Sequence, residues 1–111
     1  MQAFLNLERA RQEISKKEKE IEDLKSFIDL VENYEADTIE KLIIKEYALV
    51  GNVAKVATKL NEEGHRLEGG KKYIPNDITA IIQSKDTIDD LHSIVKKVSK
   101  KNKAKANRQW N

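Results

Sequence analysis

Apolar residues recur every seven positions at the start of the chain, at Leu7, Ile14, Ile21 and Ile28. Ala10, Lys17, Leu24 and Val31 fill the position three residues later. No Gly or Pro interrupts the stretch from Phe4 to about Asn33, so the pattern reads as one long helix with a heptad seam. Such a seam predicts pairing with a second copy through Leu7, Ile14, Ile21, Leu24, Ile28 and Val31. Ile at the first seam position favours a parallel pair, but Lys17 and Ala10 weaken the second, and strand direction stays open. Phe27, Leu30 and Tyr34 lie off the seam, which predicts that the end of the helix also packs on the downstream domain. A single amphipathic helix folded back on its own domain fits the same pattern.

Beyond residue 35 the apolar spacing predicts shorter helices. One lies within Ala36–Val50, with Asp37 or Thr38 as its cap and Ile39, Leu42, Ile43, Tyr47 and Val50 inward. Gly51-Asn52 breaks it. A third helix spans about Val53–Glu63, with Val53, Ala54, Val56, Ala57 and Leu60 inward and Gly64 at its end. A loop over residues 65–73 leads to Pro75, which opens a fourth helix whose Ile78, Ile81 and Ile82 face inward. A last helix begins near Asp86 or Thr87 and buries Ile88, Leu91, Ile94, Val95 and Val98. The sequence after Ser99 has too few apolar groups to fold alone and predicts a disordered basic tail.

The expected fold is therefore all-α: a coiled-coil-like helix over residues 1–35, a small helix-turn-helix bundle over 36–99, and a basic tail over 100–111. Charge sharpens this division. Residues 1–50 carry 8 basic and 12 acidic side chains, residues 51–90 carry 6 and 7, and residues 91–111 carry 7 and none. A net charge of +2 thus hides a strongly basic end, which points to a polyanionic partner.

The segment 47–84 has the form of a helix-turn-helix, in which a bracing helix sets a second helix into the major groove. On that second helix Asn76, Thr79 and Gln83 share one face opposite the isoleucines, with Ala80 beside them. Asn and Gln pair with adenine, Thr meets a polar edge, and Thr or Ala meets the thymine methyl. Lys55, Lys59, Lys71, Lys72 and Tyr73 are placed to touch phosphate. Lys96, Lys97, Lys100, Lys101, Lys103, Lys105 and Arg108 of the basic end would add salt-sensitive affinity, and Trp110 a stacking group. The same polar face also serves as the solvated side of any small helical domain, and a lysine-rich tail also serves solubility.

Ala57, Leu60, Asn61 and Gly64 form an A-x-x-L-N-x-x-G run, followed by Tyr73 and then Ile78, Ile81 and Ile82. This resembles the DNA-binding segment of serine recombinases and related resolvase-type helix-turn-helix domains, over residues 47–84. The resemblance implies DNA binding without strand cleavage, since the catalytic domain of that family has no room here. The loop between the two key helices is longer than in the simplest helix-turn-helix proteins.

Other classes find little support. There is no Cys, so disulfides, thiolate metal sites and thiol nucleophiles are excluded. His65 and His92 have no ligand spacing, and Gly69-Gly70-Lys71-Lys72 lacks that of a phosphate loop. The expectation is a non-enzyme with no metal or cofactor. Lacking a long apolar run or a signal-peptide pattern, it is expected in the cytoplasm, associated with the nucleoid. The function predicted is double-stranded DNA binding as a homodimer, as a transcriptional regulator or an accessory factor of a phage or mobile element. Two alternatives stand beside it: a protein-interaction adaptor or inhibitor acting through the first helix, and a DNA-packaging oligomer.

Overall fold

The computed structural model describes residues 6–110, with side chains for residues 6–102. The described residues form five helices and no strand, so the chain is all-α. They divide into two compact units, with the boundary between Asn33 and Tyr34.

The first unit is α1 (Leu7–Glu32). The Asn6 side chain caps it by accepting the Arg9 amide at 2.9 Å. Asn33 ends it, its amide group donating back to the Asp29 carbonyl. Leu7, Ile14, Ile21, Leu24 and Ile28 are exposed. Val31, the remaining seam position, is 6 % exposed.

The second unit opens with α2 (Ile39–Val50). Thr38, one of the two expected caps, accepts the Lys41 amide at 3.2 Å. Gly51 stops α2 in the left-handed region (φ 72°), a conformation open to Gly at little cost. Asn52 then starts α3 (Val53–Glu62) by accepting the Lys55 amide at 3.0 Å. Two residues thus close one helix and open the next. Glu63 caps α3, and Gly64 follows at φ 89°. The Gly64 amide bonds the Asn61 carbonyl and the His65 amide bonds the Leu60 carbonyl, a Schellman ending.

Asn61 holds the loop that leads out of α3. Its side-chain amide donates to the Tyr73 carbonyl at 2.9 Å and accepts the Tyr73 amide at 2.8 Å. The pairing fixes the chain just before α4 (Pro75–Ile82), whose proline occupies the first turn. Asp77 accepts the Ile74 amide at 2.9 Å and so occupies the helix start. Asn61→Ala removes both bonds and strands two partly buried backbone groups. It is expected to cost about 2 kcal/mol, read as a lower denaturant midpoint at unchanged slope.

α5 (Asp90–Trp110) begins later than the apolar spacing suggests. Asp89 caps it by accepting the His92 amide at 3.0 Å, and the Tyr34 hydroxyl donates to the same carboxylate. Burial and the adjoining Asp89 raise the Tyr34 pKa above its ordinary value. α5 also runs through the segment expected to be disordered, to Trp110. Residues 99–110 contain no Gly, Pro or β-branched residue, and a helix already anchored by Leu91 and Val95 propagates without a new nucleus.

The core of this unit is Ile43, Ile44, Tyr47, Val56, Ala57, Leu60, Tyr73, Ile78, Ile82, Leu91 and Val95. α3 packs on α4, and α2 on α3, α4 and α5. Ala54 and Val50, both expected inward, are exposed, while Ile44 takes the inward place on α2. No helix among the described residues is long and apolar enough to cross a membrane.

Candidate nucleic-acid interface

Because α3 is stapled to α4 through Asn61 and Tyr73, the first turn of α3 and the outer face of α4 border one cleft. Its volume is about 910 Å³. Gly51, Asn52, Val53 and Ala54 form one edge, Asn76, Thr79 and Gln83 of α4 a second, and Ser99, Lys100 and Asn102 of α5 a third. Tyr47 also lines it, with its hydroxyl 3.4 Å from the Asn102 amide nitrogen. Among the described residues no carboxylate lines this cleft, in a chain with 19 Asp and Glu residues.

Three of the residues expected to read bases are therefore brought to one cleft. They are not equally free. Asn76 is exposed and Thr79 half-buried, while Gln83 donates its amide to the Lys96 carbonyl at 3.3 Å and braces α4 against α5. Ala80 is exposed on α4 but does not line the cleft.

The residues expected at phosphate separate more sharply. Lys55, Lys71, Lys72, Lys97, Lys100 and Lys101 are exposed. Lys59 instead pairs with Glu46, whose side chain is only 9 % exposed. That hydrogen bond raises the Lys59 pKa and holds its charge on the protein. Tyr73 is 6 % exposed and belongs to the core. Lys96 donates to the Ser84 carbonyl at 2.9 Å and spans the α4–α5 connection. Lys59, Tyr73 and Lys96 are thus each engaged within the fold. Lys103, Lys105, Arg108 and Trp110 lie outside the residues whose side chains are described.

Sequence spacing missed Asn52, Ser99 and Asn102. Asn52 reads only as part of the Gly51-Asn52 break, Asn102 falls in the segment expected to be disordered, and Ser99 is the last residue before it. Only the course of α5 sets them opposite α4.

The histidines have other duties. His92 is fully buried, its Nδ1 accepting the Ile88 amide and its Nε2 lying 3.0 Å from the carbonyls of both Ile81 and Ile82. His65 lies 3.8 Å from Glu63 at the end of α3. Among the described residues no group of three or more His, Asp or Glu is arranged to hold a metal ion. No protein-family model, curated protein or solved structure matches the chain.

Proposed function

We propose that residues 34–111 bind double-stranded DNA at the carboxylate-free cleft of α3, α4 and α5, and that the chain acts as a homodimer through α1. The observation that carries this reading is the cleft lining. Asn52, Asn76, Thr79, Ser99 and Asn102 offer neutral donors and acceptors, and Lys100 adds a positive charge. Such a wall accepts a polyanion without repulsion, and the flanking charge strengthens the preference. Lys55, Lys97 and Lys101 are exposed on α3 and α5, and the last 21 residues hold no acid. Asn76 and Thr79 are the base-reading pair, and the lysines supply position and affinity.

The resemblance of residues 47–84 to the resolvase-type helix-turn-helix supports the same class. The role is that of a binding protein, as a regulator or an accessory factor of a mobile element, rather than an enzyme. The exposed apolar stripe of α1 favours one competing reading, an adaptor that binds a different protein.

Fluorescence anisotropy with labelled random and AT-rich duplexes separates the two. DNA binding is expected to weaken by about a hundredfold or more between roughly 50 and 200 mM salt. Asn76→Ala combined with Thr79→Ala is expected to narrow the difference between the duplexes by about tenfold while leaving the salt slope unchanged. No binding at low salt would overturn the proposal and leave the adaptor reading in its place.

A further inference from the structure

On the homodimer reading, on which this step rests, the exposed stripe of α1 also contains the information for how two copies align. Leu7, Ile14, Ile21, Leu24 and Ile28 are 50–68 % exposed, a run of large apolar groups along one face of a 26-residue helix. Lys17 interrupts that face, and in the single chain it lies 3.7 Å from Glu13.

Antiparallel pairing sets the first seam position of one copy against the second of the other, and three registers give useful overlap. With Leu7 opposite Val31, Glu18 faces Glu18, Glu20 faces Glu20 and Arg11 faces Lys25, so like charges meet throughout. Sliding one heptad to set Leu7 opposite Leu24 pairs Arg11 with Glu18, but it places Lys17 against Ile14 and Glu13 against Glu20 and leaves Ile28 with no partner on α1. Sliding the other way matches charge well, Glu18 with Lys25 and Arg11 with Glu32, but it shortens the seam to the stretch between Ile14 and Val31. That register also leaves Leu7 and Ala10 of both copies beyond the overlap of the two helices.

Parallel pairing in register uses the whole open stripe. Each Ile meets itself, Leu24 meets Leu24, and Glu20 lies across from Lys25 of the second copy. Glu13 and the second copy's Glu18 would repel, but Lys17 falls between them at the seam. The two lysines of that layer are flanked by Glu13 and Glu18 of both copies. A shift of one heptad would press each Lys17 on Ala10 or Leu24, far from that cluster.

We propose that α1 pairs in parallel and in register with a second copy of α1, and that Lys17 fixes the register. A lone charged residue at a seam position has this effect because only one alignment solvates and neutralises it, at a cost in affinity.

The absence of Cys makes introduced thiols the only ones in the chain, so disulfide trapping of the full-length protein tests this directly. Leu7→Cys and Ile28→Cys, made separately, are each expected to oxidise to covalent dimers, since parallel pairing brings the Cα atoms within about 7 Å. In every antiparallel register either residue is more than about 15 Å from its own copy at 1.5 Å rise per residue. A mixture of Ile21→Cys and Ile28→Cys chains is expected to give little mixed disulfide, because in register those positions are about 10 Å apart along the axis. Adding Lys17→Leu to both is expected to tighten dimerisation by about tenfold and to raise the mixed disulfide. Sedimentation accompanies each experiment. A dimer that fails to trap at Leu7→Cys and Ile28→Cys overturns parallel pairing, and unchanged mixed disulfide with Lys17→Leu overturns the role of Lys17. A monomer throughout the micromolar range overturns the homodimer reading itself.

Discussion

His92→Ala is expected to lower the thermal midpoint of residues 34–111 by about 15 °C, equivalent to roughly 3 kcal/mol for a unit of this size. The His92 ring is fully buried and spans three backbone groups. Ile88 can only donate its N–H, so Nδ1 accepts and the hydrogen lies on Nε2, shared between the carbonyls of Ile81 and Ile82. The ring therefore ties the end of α4 to the loop and to the first turn of α5. Removing it leaves a cavity, a buried amide without an acceptor, and two carbonyls short of a donor. Circular dichroism melts of the variant and its parent measure the effect. A shift below about 4 °C would mean that the α4–α5 connection is held by Gln83, Lys96 and Asp89 without the ring.

The second large effect concerns DNA. Lys97→Glu, Lys100→Glu and Lys101→Glu together are expected to reduce affinity for any duplex by about a hundredfold and to flatten the salt dependence. All three side chains are exposed, and none of the hydrogen bonds or ion pairs among the described side chains uses them. Their loss should therefore spare the fold, and an unchanged melting curve is the control. Lys96→Glu would give a different result, because Lys96 holds the Ser84 carbonyl and its reversal should lower stability as well. If the triple variant binds as tightly as the parent, with the same salt slope, α5 takes no part and the cleft is not a DNA site.

The helices are mostly legible because their signals are local. Thr38 and Asn52 announce helix starts through their own side chains, and Gly51 and Gly64 announce ends through a backbone conformation that other residues resist. Spacing does not single out Asp89, because Asp86 and Thr87 offer the same chemistry two or three residues earlier. The choice between them is tertiary: Tyr34 donates to Asp89, and His92 sets its ring on the Ile88 amide.

The candidate site is legible in part. Asn76, Thr79 and Gln83 share one helical face by spacing alone, and the structure gathers them at one cleft. Spacing does not carry which polar groups are already engaged. Lys59 and Lys96 look like any exposed lysine until Glu46 and the Ser84 carbonyl are found within reach. Tyr73 looks like a loop aromatic until its ring proves buried.

By itself the sequence determined the all-α class, most of the helix caps and stops, the heptad stripe of α1 and the strong basicity of the C-terminal end. Each depends on residues within a few positions of one another, or on charge that needs no contact to be counted. Only the tertiary structure decided that Ser99, Lys100 and Asn102 wall the cleft beside α4, and that Gln83, Lys59 and Lys96 brace the fold. Those outcomes depend on groups more than ten residues apart, competing for the same hydrogen bonds and the same buried space.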